Sequence, residues 1–134
     1  MTKAIIFSND NGGVSTCIPT GEISIEAVLA KDCPAGALIV EASSLPNDDS
    51  DFYNAWELAN GVVTVNLDKA KEITKARLRT EREPLLAAQD VLFQRAQESG
   101  GDTTAIVAEK NRLRDITGSV DSCTTTAQLR ALTV

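Results

Sequence analysis

The stretch from Leu67 to Ser99 constrains the fold more than any other part of the chain. It reads as one long, heavily charged helix that stops at Gly100-Gly101. The residues before it have to fold as a separate small head, and those after it have to return along it. The expected class is therefore α+β: a small β-rich N-terminal head with one short helix (residues 1–66), followed by a long charged helix and an antiparallel helical hairpin with a short C-terminal helix (residues 67–134).

Leu67-Asp68 marks the helix start, with Asp68 expected as the cap at its positive end. Leu78, Leu85 and Leu92 recur every seven residues, Ala88 and Ala96 lie on the same side, and Leu86 and Phe93 form a neighbouring row. Such a stripe must pack against something. Pro84 lacks an N–H and crowds the preceding turn, so a kink or break is expected near residues 80–83. Before Pro84 the stretch is polar, with few large apolar side chains ahead of Leu78, which suits a solvent-bridging segment or a thin oligomer seam. After Pro84 it carries Leu85, Leu86, Val91, Leu92 and Phe93.

Beyond the glycine pair, Asp102 or Thr103 restarts a helix that places Ile106, Leu113 and Ile116 on one face. The spacing predicts a hairpin in which these three pack on Leu85, Leu92 and Phe93. Residues 124–132 read as a short capped helix anchored by Leu129 and Leu132. On this reading Ile73 and Leu78 are left uncovered within the chain. With Leu85, Leu92 and Phe93 they are the candidate interaction residues, and Leu78 is expected to serve assembly while Leu85 and Leu92 hold the core.

In the head, residues 3–9 are apolar and β-branched enough for a strand, Asn11-Gly12 signals a hairpin, and a second strand runs to Pro19. Asp10 and Asn11 before Gly12 resemble part of a calcium loop, but no acid is present between Val14 and Ile18. Residues 20–32 read as a helix capped by Thr20 or Ser24, ended by Cys33-Pro34. The apolar run from Ala37 to Ala42 is expected to be the buried central strand. Asp48, Asp49 and Asp51 form an acidic loop. Phe52, Tyr53 and Trp56 are expected to pack the core of the head. Asn60-Gly61 forms another turn, followed by a strand at residues 62–66.

Charge is unevenly placed. Residues 1–66 carry two basic and nine acidic side chains, a net of −7, whereas residues 67–134 carry eleven basic and ten acidic, a net of +1. An acidic head on a balanced helical half argues against nucleic acid as a partner, because phosphate binding needs clustered Lys and Arg. The charge suits docking between proteins. The three cysteines Cys17, Cys33 and Cys123, without a C-x-x-C pair or a histidine, are expected to be buried reduced thiols rather than a disulfide framework or a metal site. No apolar run is long enough for a signal peptide or a membrane span, so a soluble chain made without export is expected. Without histidine, and with Ser and Cys lacking a base partner, no catalytic constellation and no cofactor site emerges, and the chain is expected not to be an enzyme.

Several short motifs carry a resemblance. Lys3-Ala-Ile-Ile-Phe7, Gly12-Gly-Val-Ser15, residues 30–37 (Ala-Lys-Asp-Cys-Pro-Ala-Gly-Ala) and Phe52-Tyr-Asn-Ala-Trp56 are followed by Val65-Asn-Leu-Asp-Lys-Ala70, residues 82–91 and Lys110-Asn-Arg-Leu-Arg-Asp-Ile-Thr117. With the closing Leu129-Arg-Ala-Leu132, this pattern resembles a group of small proteins encoded among the virion genes of tailed bacteriophages and prophages, over nearly the whole chain. The resemblance implies a structural protein of the virion, a tail or tail-fibre junction component made in the host cytoplasm. It would dock to other virion proteins (tail, adaptor or fibre subunits) as a homo-oligomer in a symmetric assembly. The segment Leu113-Arg-Asp-Ile-Thr117 also resembles the tails of phage tail-fibre assembly proteins. That implies an alternative, an assembly chaperone absent from the mature particle.

Overall fold

The structure, a computed structural model, describes residues 2–134. The fold is α+β, and the chain forms two compact units that meet in sequence between Ala70 and Lys71.

In the first unit, β1 (Lys3–Ser8) is the central strand of a three-stranded antiparallel sheet, between β2 (Val14–Cys17) and β3 (Leu38–Glu41). Ile6 faces Thr16 on one side and Leu38 on the other. Ala4, Ile5 and Ile6 are all fully buried, because both faces of the strand are covered. On one face Ile6 and Val14 join Trp56 and Val63 in a core cluster that Val40 and Tyr53 flank. The opposite face, which carries Ile5 and Ile39 by alternation, receives α1 (Ile25–Asp32). The apolar run expected in the middle of the sheet is thus an edge strand, with Leu38 exposed. Its apolar residues look outwardly like those of a central strand, but only β1 has a hydrogen-bonding neighbour on each side.

The β1–β2 connection is wider than a two-residue Asn-Gly turn. Asn9 organises it: its Oδ1 accepts from the N–H groups of Asn11 (3.1 Å) and Gly13 (3.0 Å), and only Gly12 adopts positive φ there. A true two-residue turn occurs later. Asn60 (φ 52°) and Gly61 (φ 78°) join β4 (Trp56–Ala59) to β5 (Val62–Val65), both central residues taking the left-handed conformation that a type I′ turn demands. Ser24 caps α1, its Oγ accepting from Ala27 N–H at 3.2 Å. The acidic loop coils into short 3₁₀ turns across Asn47–Ala55. The Trp56 indole N–H donates to the Asp49 carbonyl at 3.2 Å, and its ring lies 4.9 Å from that of Tyr53. The aromatic residues therefore build the core of the head, as expected, and Trp56 presents no open stacking platform.

The long helix, α2 (Leu67–Ser99), is capped by Asn66 rather than Asp68. Asn66 Oδ1 accepts from Lys69 N–H at 3.1 Å while its Nδ2 donates to Glu57 at 2.8 Å. Asp68 sits two residues inside the cap, where its charge favours the helix N-terminus. The expected break at Pro84 does not occur, and the helix continues to Ser99. The carbonyl that Pro84 deprives of a partner belongs to Thr80, and both residues are exposed, so the lost bond falls on the solvent side of the helix rather than in the core. The helix ends in a Schellman motif: Gly100, at φ 72°, donates to Gln97 O, and Gly101 donates to Ala96 O.

In the second unit, α2 packs against α3 (Thr104–Asp115), the 3₁₀ segment Ile116–Ser122 and α4 (Thr126–Ala131). Asp102 starts α3 by accepting from the N–H and hydroxyl of Thr104, and Thr125 with Gln128 forms a reciprocal capping box on α4. Leu78, Leu113, Val120 and Leu129 are the fully buried apolar side chains here, with Thr74 buried one helical turn before Leu78. Among the described residues no helix is long and apolar enough to cross a membrane.

Candidate docking surface

The helical hairpin forms, but not with the seam that the leucine spacing suggests. Leu78 is fully buried, Leu85 is 42 % exposed and Leu92 45 % exposed. Helical drift is one part of the reason, and the turn of the contact toward the neighbouring row is the other. A straight helix turns back by about 20° over each seven residues, so a seven-residue row walks around the surface instead of staying on one line. Starting from Leu78 in the core, the row reaches the flank at Leu85 and leaves the contact by Leu92. The inward row beyond Pro84 is the neighbouring one, where Leu86, Gln89, Phe93 and Ala96 are half-buried at alternating spacings of three and four. Ile73 is half-buried.

The roles expected of the candidate residues are thereby corrected on two points. Leu78 is a core residue with no surface to offer a partner. Leu85 and Leu92 do not hold the hairpin together. Val91, 48 % exposed, belongs with them, and Pro84 and Ala88 are exposed on the same flank. Four apolar side chains (Leu85, Ala88, Val91 and Leu92) thus lie within about two helical turns, outside the core of their own unit.

The charges on α2 also have specific partners, which the sequence pattern did not reveal. Arg77 donates to the carbonyls of Leu129 (3.2 Å) and Leu132 (2.9 Å), and Arg82 to those of Leu113 (3.3 Å) and Arg114 (2.8 Å). Each guanidinium satisfies carbonyls at the C-terminal end of another helix, where a positive charge is favoured by the helix dipole. Lys75 pairs with Asp121 at 2.9 Å, and Lys71 donates to the Asp121 carbonyl at 3.3 Å. Lys110 of α3 pairs with Asp90 at 2.6 Å and stands 5.0 Å over the Phe93 ring. The segment before Pro84 is therefore not a solvent-bridging spacer. Its cations clamp the returning chain.

Hollows mark the surface of each unit among the described residues. A groove of about 430 Å³ runs along α2 between Arg79, Arg82, Glu83, Leu86, Ala87 and Asp90. Two of its charged groups, Arg82 and Asp90, are already engaged within the unit. In the head, a hollow of about 280 Å³ lies among Asn9, Asn11, Tyr53 and Asn54, and another of about 310 Å³ beside Lys3, Pro19, Ile23 and Ile25. Neither head hollow is lined by a carboxylate, and of the two carboxylates on the α2 groove, Glu83 and Asp90, the second is held by Lys110.

Shifted titrations trace structural pairs elsewhere. Hydrogen bonds from Asn66 and then Lys69 hold the Glu57 carboxyl below its ordinary value. The Lys75 ammonium does the same for Asp121, and Arg112 for Glu109. Among the described residues no group of three or more His, Cys, Asp or Glu side chains is placed to hold a metal ion. Cys123 is buried as expected, but Cys17 and Cys33 are only half-buried. Comparison with protein-family models, with curated proteins and with solved structures finds no match.

Proposed function

We propose that this chain is a non-enzymatic structural protein of a tailed-phage virion, a component of the tail or tail-fibre junction that works by docking to other virion subunits. The observation that carries the docking part is the apolar flank of α2 beyond Pro84. Leu85, Val91 and Leu92 stay between 42 % and 48 % exposed on a helix whose opposite flank is committed to the hairpin. Contiguous apolar side chains on a small protein are costly to leave in water and mark interaction surfaces. The virion assignment rests on the resemblance of the motifs from Lys3 to Leu132. A chain that has no histidine, head hollows without a carboxylate and a groove whose Asp90 is held in an ion pair with Lys110 favour binding over catalysis.

The direct experiment is mass spectrometry of purified particles of the phage that encodes the chain. The expected result is the chain at a stoichiometric copy number. Its absence from particles, together with its presence in infected cells and misfolded fibre subunits when the gene is deleted, would overturn this reading in favour of an assembly chaperone.

A further inference from the structure

The exposed flank of α2 is self-complementary. Its side chains pivot on Ala88, itself exposed. Counted outward from that residue, Leu85 and Val91 stand three positions away, Pro84 and Leu92 four, and Glu81 and Arg95 seven. Spacings of three, four and seven keep all of them on one side of the helix. Reversing the direction of the helix about Ala88 therefore exchanges apolar for apolar and acid for base. Both charged ends are open to a partner. Arg95 is exposed and makes no ion pair among the described residues. Glu81 accepts from Arg77 at 3.1 Å, but 39 % of its side chain is exposed and its carboxylate has lone pairs left for a second guanidinium. The small side chain at the pivot lets another helix come close there.

We propose that the occupant of this flank is a second copy of the chain, its α2 running antiparallel about a two-fold axis at Ala88. Leu85 of each copy then meets Val91 of the other, Pro84 meets Leu92, and Glu81 meets Arg95, each pair occurring twice as a two-fold contact requires. A parallel pairing in register would instead set Glu81 against Glu81 and Arg95 against Arg95. Removing Leu85, Val91 and Leu92 from water supplies the affinity, and the acid–base ends fix the direction. A partner of unrelated sequence would have to reproduce this reversed pattern, whereas a second copy carries it already.

The proposal rests on the docking role given to this flank above and names its partner. From Glu81 to Arg95 the helix rises by about 21 Å. Such a seam is shorter than a standard interface of about 800 Å² per partner, so the dimer is expected to form at micromolar rather than nanomolar concentration. Two outcomes separate this proposal from the virion reading. A chain that is monomeric in solution yet enters particles through Leu85 and Leu92 overturns the two-fold dimer and leaves the docking role with another subunit. A chain that dimerises through this flank but is absent from particles supports the dimer and overturns the virion reading.

The test is sedimentation equilibrium of the purified full chain over about 1–500 μM, a range that brackets micromolar dissociation constants. The expected result is a reversible monomer–dimer equilibrium with a Kd below about 100 μM. Leu85→Ser/Leu92→Ser is expected to weaken it at least about tenfold. Arg95→Glu, which sets like charges at both ends, should weaken it at least about fivefold, and Glu81→Arg/Arg95→Glu, which exchanges the ends, should return it to within about twofold of wild type. Copies of Ala88→Cys are expected to cross-link through position 88 on oxidation, read by peptide mass spectrometry, whereas copies of Glu98→Cys, ten positions from the pivot, do not cross-link through position 98. The proposal is overturned if the wild-type chain stays monomeric throughout, if Leu85→Ser/Leu92→Ser or Arg95→Glu dimerises as well as wild type, or if Ala88→Cys fails to join through position 88. Failure of the exchange variant to recover overturns it as well when that variant's helical circular dichroism matches wild type, and when it does not, the Ala88→Cys cross-link decides.

Discussion

The two halves of α2 lie on either side of Pro84 and look similarly charged, yet they do opposite things. Before Pro84 the helix is the anchor of its unit: Leu78 and Thr74 are buried, and Arg77, Arg82, Lys71 and Lys75 reach across to the returning chain. After Pro84 a narrower row, Leu86 to Ala96, meets α3, while Leu85, Val91 and Leu92 face water. The more polar segment is thus the more firmly packed one. Long cationic side chains cover apolar neighbours with their stems and spend their charged heads on helix-end carbonyls. A count of apolar residues misses both contributions.

The largest effect expected from this contrast lies in the leucine row. Leu78→Ala leaves a cavity in a fully buried site and is expected to destabilise the helical unit by about 2–5 kcal/mol. Leu92→Ala on the exposed flank is expected to cost less than about 0.5 kcal/mol. Urea unfolding followed by helical circular dichroism compares the two. Equal losses would break the distinction between the halves.

The cationic clamp comes next. Arg82→Met keeps most of the stem but removes the donors to the Leu113 and Arg114 carbonyls. It is expected to cost about 1 kcal/mol, read in the same unfolding experiment, with faster amide exchange at the C-terminal end of α3. A variant as stable as wild type would mean that water caps those carbonyls equally well.

A smaller effect is expected from pH. Because Lys75 holds the Asp121 carboxyl below its ordinary value, the folded chain binds this proton less readily than the unfolded one. The pair therefore contributes fully above the ordinary aspartate range and loses its contribution as pH falls through the folded value. Asp121 is largely exposed, so solvent screening keeps the effect small. Stability measured through acid titration should fall less steeply in Asp121→Asn than in wild type. Superimposable profiles would remove the ion pair from the clamp.

The fold class and most of its elements were legible in the sequence because they rest on local chemistry. Asn60-Gly61 allows few alternatives to a tight hairpin, Gly100-Gly101 terminates a helix wherever it stands, and the cluster of Phe52, Tyr53 and Trp56 has to be buried in a chain with so few aromatics. The features that were not legible depend on neighbours in space. The strand at Leu38–Glu41 is apolar enough to be central, and its edge position is set by β1 pairing on both sides. Pro84 reads as a breaker because the sequence does not show that Thr80 is exposed to water. At the candidate surface, Leu85 and Leu92 were visible as a row with Leu78, but that the contact beyond Pro84 runs along Leu86, Gln89, Phe93 and Ala96 emerges only once the position of α3 is known.

The leucine row leaves the core beyond Pro84, and the part left outside is, on the proposed function, the part that docks. The most direct test is the particle content of a Leu85→Ser/Leu92→Ser double variant, supplied in place of the wild-type chain and quantified by mass spectrometry of purified virions. The expected variant remains folded and abundant in the infected cell but is depleted at least about tenfold from particles, which corresponds to about 1.4 kcal/mol of lost docking energy. Incorporation of the folded variant at the wild-type level would contradict a docking role for this flank.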